Sequence, residues 1–191
     1  INGTGQDLRI NNTKDLTVQF IWMTEGDIQI GSTGTLDVEG IVYGSNSADN
    51  DVLLTTGIFP NQLLEAESEL GPDESFDPID LDQDLTVSNL LTNTLGNVRL
   101  YVSGNINQTS GQIQAGQIDA QVGGDATGET ESEIARLRTN ADTLNLETFA
   151  PGDVTVFDLG DEITLNITVY DGSLDVRTQG DLIAENVELL N

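Results

Sequence analysis

The 191-residue chain contains neither cysteine nor histidine. That removes cysteine nucleophiles, histidine general bases, zinc sites of the usual ligand types and haem ligation together. It also means that no disulfide framework marks the compartment. Aromatic residues make up only 5% of the chain, so any core must be aliphatic. No apolar run reaches the length of about 18 residues that a membrane-spanning helix needs, and no membrane insertion is expected. No signal-peptide pattern opens the chain. The first residue is Ile1 rather than Met, so the chain reads as a mature product or as a piece of something longer.

Positive charge is equally scarce. Arg9, Lys14, Arg99, Arg136, Arg138 and Arg177 are the six basic residues against 33 acidic ones, for a net charge of −27. A phosphate backbone or an anionic bilayer would be repelled, so nucleic acid is excluded as an expected partner. Between residues 15 and 98 there is no Lys or Arg at all. Repulsion over that stretch calls for screening by salt, divalent cations or a partner. A halophilic or marine source and plain solubility both account for such a surface.

What is present is a repeated cassette, in which a polar residue is followed by apolar–x–apolar. It runs through Asp7-Leu8-Arg9-Ile10, Asp15-Leu16-Thr17-Val18, Asp27-Ile28-Gln29-Ile30 and Thr35-Leu36-Asp37-Val38. It returns at Asp84-Leu85-Thr86-Val87 and Asn97-Val98-Arg99-Leu100, and then from Thr143-Leu144-Asn145-Leu146 to Asn186-Val187-Glu188-Leu189. Alternation over such short runs marks half-buried strands. Leu8 to Ile28 and Leu16 to Leu36 are each 20 residues; Leu144 to Ile163 is 19, Val154 to Leu174 is 20 and Ile163 to Leu182 is 19. A period near 20 points to coils that stack, because one coil alone cannot bury its inner face. Gly-Asp and Gly-Asn pairs supply the corners. The expected fold is an all-β, right-handed parallel β-solenoid of about 20-residue coils with two insertions. The alternative is a β-sandwich filament subunit, which also uses short strands and glycine turns.

The regularity divides the chain into β-repeat coils at 1–57, 84–124 and 142–191, separated by an acidic insertion at 58–83 and a second at 125–141. Pro60 is placed to open a short helix over residues 61–70, ended by Gly71-Pro72. Thr130 and Glu133 have capping-box spacing for another.

The units Gly152-Asp153-Val154-Thr155-Val156, Gly172-Ser173-Leu174-Asp175-Val176 and Gly180-Asp181-Leu182-Ile183-Ala184 resemble the repeats of filamentous-haemagglutinin-type surface proteins. Gly26-Asp27-Ile28-Gln29-Ile30 is similar, and the likeness extends over about 120 residues. It implies a right-handed β-helix, export, a rod-shaped body and an adhesive or scaffolding role. It brings no catalytic residues.

Several residues stand out as candidate sites. Asp80, Asp82 and Asp84 alternate, so an extended backbone puts them on one side, where oxygen ligands suit Ca²⁺; a solvated acidic loop is the plainer reading. Asn2, Asn11, Asn107 and Asn166 head Asn-x-Ser/Thr sequons, which accept glycans in exported proteins. In Phe20-Ile21-Trp22-Met23 one alternate pair must face outward, either as a contact patch for a second subunit or beneath an insertion as a two-sided core. Arg136 and Arg138 offer either a clamp on a neighbour's carboxylate or an ordinary intramolecular pair. Catalysis on polysaccharides by paired carboxylates is not expected, since the basic residues that would meet an acidic substrate are thinly spread. The expected function is therefore structural: a subunit or segment of an extracellular or cell-surface filament, sheath or adhesin, partnered by copies of itself or longer versions of the same rod. The alternatives are a calcium- or glycan-binding surface module and a strand-donating pilus-type subunit, with residues 7–21 as the donated element.

Overall fold

The computed structural model describes residues 2–3, 6–43, 47–58, 60, 62, 83–123, 126–128 and 137–190. These residues form one 16-stranded sheet, all of it parallel, wound into a β-solenoid of about seven turns spaced by about 21 residues. The sandwich alternative falls, because every strand pair is parallel and none is a hairpin.

In chain order the strands are β1 (Asn2–Gly3), β2 (Leu8–Asn12), β3 (Leu16–Val18), β4 (Ile21–Met23), β5 (Ile28–Ser32) and β6 (Leu36–Tyr43). There follow β7 (Asp51–Thr56), β8 (Leu85–Val102), β9 (Ile106–Gln108), β10 (Ile113–Val122) and β11 (Ala126–Gly128). The last are β12 (Leu137–Thr148), β13 (Val154–Asp158), β14 (Glu162–Tyr170), β15 (Leu174–Thr178) and β16 (Asp181–Leu190).

Pairing sorts them into faces. The first face runs β2–β5–β7 and continues through the C-terminal halves of β8, β10 and β12 to β14 and β16. The second begins with β3, β6 and the start of β8, and passes through β9, β11 and β13 to β15. The third runs from β1 and β4 through the end of β6 and the middle of β8 to the N-terminal halves of β10 and β12. Residues 7–21, the donated element of the pilus-type alternative, belong to the first coil and pair with β5 and β6.

Alternate residues of each strand point inward and stack as aliphatic columns. On the first face one column is Leu8, Ile28, Val52, Val98, Ile118, Leu144 and Leu165. All of these but Leu8, in the first coil, are buried. Four of the five spacings read from the sequence are true register pairs: Leu8–Ile28, Leu16–Leu36, Val154–Leu174 and Ile163–Leu182. The fifth is not. Leu144 pairs with Leu165 rather than Ile163. A slip of two residues keeps both side chains inward, so alternation alone does not choose between them.

The polar residue that opens each cassette has a physical role. Where it is an aspartate at a corner, its carboxylate reaches to the next coil and accepts the backbone N–H at the equivalent corner. Asp7 accepts from Asp27 N (3.2 Å), Asp27 from Asp51 N (3.1 Å), Asp15 from Thr35 N (3.1 Å) and Asp153 from Ser173 N (2.8 Å). The corner before β5 also needs Gly26. Its φ is +90°, and a Cβ there would lie 2.6 Å from the carbonyl oxygen of Gln6 in the coil beneath.

The two departures from regularity are closed differently. The excursion after β7 is pinned at its base, where Thr55 Oγ1 donates to the Ile58 carbonyl and Thr56 Oγ1 to the Gln83 carbonyl, each at 2.5 Å. Ile58 packs there on Leu53 and Tyr101, two outward-facing residues that are thereby buried. The helix expected over 61–70 falls almost wholly outside the described residues. In the second stretch, 126–128 and 137–141 are strand, and residues 129–136 lie outside the described residues. Where the chain returns, the Gln108 side-chain amide bonds the backbone of Arg138 on both sides, accepting from its N–H at 2.5 Å and donating to its carbonyl at 3.4 Å. The helix anticipated after Thr130 lies outside the described residues.

Truncating a stacked inner residue should be costly. Ile30 has no exposed surface, and Ile30→Ala is expected to lower unfolding free energy by about 2–5 kcal/mol, measured by urea denaturation. Gly26→Ala should cost about 1–3 kcal/mol through backbone strain and the close approach to Gln6. An unchanged midpoint for Gly26→Ala would show that this corner tolerates a side chain.

Candidate functional site

The outward rows of the first face carry the densest array of interacting polar side chains described. One row, read up the stack, is Arg99, Asp119, Asn145, Asn166 and Asn186. Asn145 Nδ2 donates to Asp119 Oδ1 at 2.6 Å, Asn166 Nδ2 to Asn145 Oδ1 at 2.9 Å and Asn186 Nδ2 to Asn166 Oδ1 at 3.2 Å. Strand stacking enforces this ladder, because identical amides at equivalent positions sit one inter-strand step apart. The ladder also settles the Leu144–Leu165 register, since a slip of two would set Asn145 against Thr164 instead of Asn166. Beside it runs a second row, Gln121, Glu147, Thr168 and Glu188.

Together these rows, Glu188 apart, line an open groove of about 480 Å³, with Arg99 and Asp119 near one end and Asn186 near the other. Glu147 stands in this groove, half-buried. Burial alone raises its carboxyl above the ordinary value, and no hydrogen-bond donor reaches it among the described residues. A smaller recess of about 130 Å³ lies further down the same face, between Asp27, Gln29, Asp51 and Arg99.

No protein-family model, curated protein or solved structure matches this chain. The site therefore has to be read from its own chemistry.

Below the groove, the corner carboxylates Asp7, Asp27 and Asp51 stack on successive coils. Burial raises the Asp51 carboxyl, while hydrogen bonds from Asn97 and the charge of Arg99 pull it back. Tyr43 donates its hydroxyl to the Gly26 carbonyl at 2.7 Å. Burial first, and then the three aspartates, push that hydroxyl well above its ordinary value of 10.0. At the opposite end Asp158 is completely buried, and burial raises its carboxyl. It accepts from Thr139 Oγ1 at 2.8 Å, Gly160 N at 2.8 Å and Ala141 N at 3.3 Å, closing the corner between β13 and β14. Sequence reading passed over Asp158. Its one signal is an aspartate at an inward position of the Val154–Asp158 alternation.

The residues singled out from sequence are scattered. Asp80 and Asp82 lie outside the described residues. Asp84 is a corner residue: its Oδ1 accepts from Asn105 N at 2.7 Å and Asn105 Nδ2 at 3.0 Å, and its Oδ2 from Asn107 Nδ2 at 3.5 Å. Among the described residues no group of three acidic side chains is placed to hold a metal ion. Asn2 lies in β1 and Asn11 is exposed in β2. Asn107 is tied to Asp84, and Asn166 is the middle rung of the ladder. Ile21 and Met23 face the core, while Phe20 and Trp22 point outward at 55% and 43% exposure. The two-sided core occurs instead at Leu53, Ile58 and Tyr101. Arg138 is exposed, and Arg136 lies outside the described residues.

Two expectations follow. Removing the middle rung, Asn166→Ala, leaves Asn145 and Asn186 each short of one bond and should cost about 1–2 kcal/mol, measured by thermal unfolding. The carboxyls of Asp51, Glu147 and Asp158 are all raised in the fold. The stability they contribute is complete below their ordinary values of 3.8 (Asp) and 4.5 (Glu) and is lost as pH rises through the raised ones. Exposed Asp153 is lowered and opposes this weakly. At fixed ionic strength, Tm should therefore rise on acidification from neutral pH toward those ordinary values. Glu147→Gln should raise Tm at neutral pH and shrink that rise. Tyr43 adds a loss of stability as pH climbs past 10.0, where the unfolded phenol ionises but the folded one does not.

Proposed function

We propose that the protein is a structural, non-enzymatic element of an extracellular or cell-surface rod, in which solenoid coils stack on its end strands. The observation that carries this is the last coil. Its inward-register residues Leu182, Val187 and Leu189 are 42%, 43% and 54% exposed, whereas their partners one coil below, Ile163, Ile167 and Val169, are at most 1% exposed. An apolar inner face left open beside an unpaired strand edge is a template for another strand. The chemistry that satisfies both at once is a further parallel coil, from a longer chain or from a second copy. The acidic surface fits the same reading: like-charged rods stay apart until salt or a cation screens them. Scarcity of basic residues and the sequons at exposed Asn11 and half-exposed Asn107 and Asn166 are consistent with a location outside the cell.

Electron microscopy and sedimentation at low and high ionic strength test this for the chain itself. End-to-end particles that lengthen as salt is raised, and that Val187→Lys shortens, are expected. Single particles of unchanged length under every condition would sink assembly by coil stacking.

A further inference from the structure

The groove on the first face is independent of the stacking reading and stands whether or not coils assemble. Its rungs are only half used. Each ladder amide gives one N–H to the rung below, so a second N–H and a second carbonyl lone pair remain directed away from the ladder. The groove thus offers donors and acceptors that repeat with the coils. From Asp119 to Asn186 it extends three steps, about 14 Å at about 4.8 Å each. Its volume of about 480 Å³ is within the range of small-molecule sites. Glu147 adds a partly desolvated acceptor with no donor among the described residues, beside Thr168 in the adjoining row.

These features select a class of ligand. Asp119 and Glu147, in a chain of net charge −27, repel anions, with Arg99 as the single cation lining the groove. No trio of acidic groups converges on a metal among the described residues. Apolar ligands would strand the amides and the carboxylate without partners. A ligand carrying many hydroxyls, each both donor and acceptor, satisfies a donor–acceptor ladder and an unmatched carboxylate together. Its repeat must also be commensurate with stacked coils. We propose that this groove binds a neutral oligosaccharide laid along the amide ladder, with its hydroxyls hydrogen-bonded to Asn145, Asn166, Asn186 and Glu147.

The test is titration of the full chain, by calorimetry and by side-chain amide NMR, with neutral trisaccharides of glucose, mannose, galactose and N-acetylglucosamine. Parallel titrations use a uronate trisaccharide, Ca²⁺ alone and an oligolysine peptide. At least one neutral sugar should bind and shift the amide signals of Asn145 and Asn166, while the uronate leaves them unmoved. Asn166→Ala and Glu147→Ala should each weaken that binding by about tenfold or more, equivalent to ~1.4 kcal/mol, in variants whose circular dichroism is unchanged. Thr17→Ala on the second face should leave it intact. The proposal is overturned if no neutral sugar binds, if binding survives in the folded Glu147→Ala protein, or if Ca²⁺ or oligolysine occupies the ladder in place of sugar.

Discussion

Everything in this molecule depends on one coil lying on the next. A single coil of about 21 residues presents its inner side chains to nothing, and a parallel strand alone satisfies none of its backbone groups. Stacking does both jobs together. Each register pair, such as Leu8 on Ile28 and Ile28 on Val52, closes backbone hydrogen bonds and extends an aliphatic column in the same step. Stability is therefore shared between neighbours along the axis and weakest where a neighbour is missing. Leu182, Val187 and Leu189, with no coil over them among the described residues, are exposed.

The corners are where the acidic character of the chain meets this constraint. A tight turn leaves backbone N–H groups facing the next coil, and an aspartate carboxylate one coil away accepts them. The same use repeated up the stack places Asp7, Asp27 and Asp51 in line, so a local hydrogen-bonding solution becomes a column of like charges. Burial raises the Asp51 carboxyl and the Tyr43 hydroxyl, and the neighbouring aspartates push both further in the same direction. Asp158 is the extreme case, a buried carboxylate tolerated because Thr139, Ala141 and Gly160 surround it with donors.

The amide ladder answers the same stacking problem on the outside of the first face with neutral groups. Asn145, Asn166 and Asn186 bond one another without accumulating charge, and they hold the register that alternation alone leaves free by two residues. The groove they line is a consequence of stacking and of the side chains in adjoining rows. It has no counterpart in any contiguous motif.

Much of the fold was legible in the chain itself. Alternation assigned the inward residues, the period near 20 implied stacked coils, and pairs such as Leu16–Leu36 and Val154–Leu174 were already in the numbering. Alternation likewise required one pair of Phe20-Ile21-Trp22-Met23 to face outward, and the structure shows it to be Phe20 and Trp22. These properties are local or strictly periodic, and local patterns survive in one dimension. The tertiary structure alone decided the rest: that Leu144 meets Leu165, that Leu53 and Tyr101 are covered by the base of an excursion, that Asp84 serves a corner, and that three asparagines 20 or 21 residues apart form a ladder. Each of these depends on which residues of separate coils come to lie side by side. A β-strand's period of two leaves that choice open until packing and hydrogen bonding between coils close it.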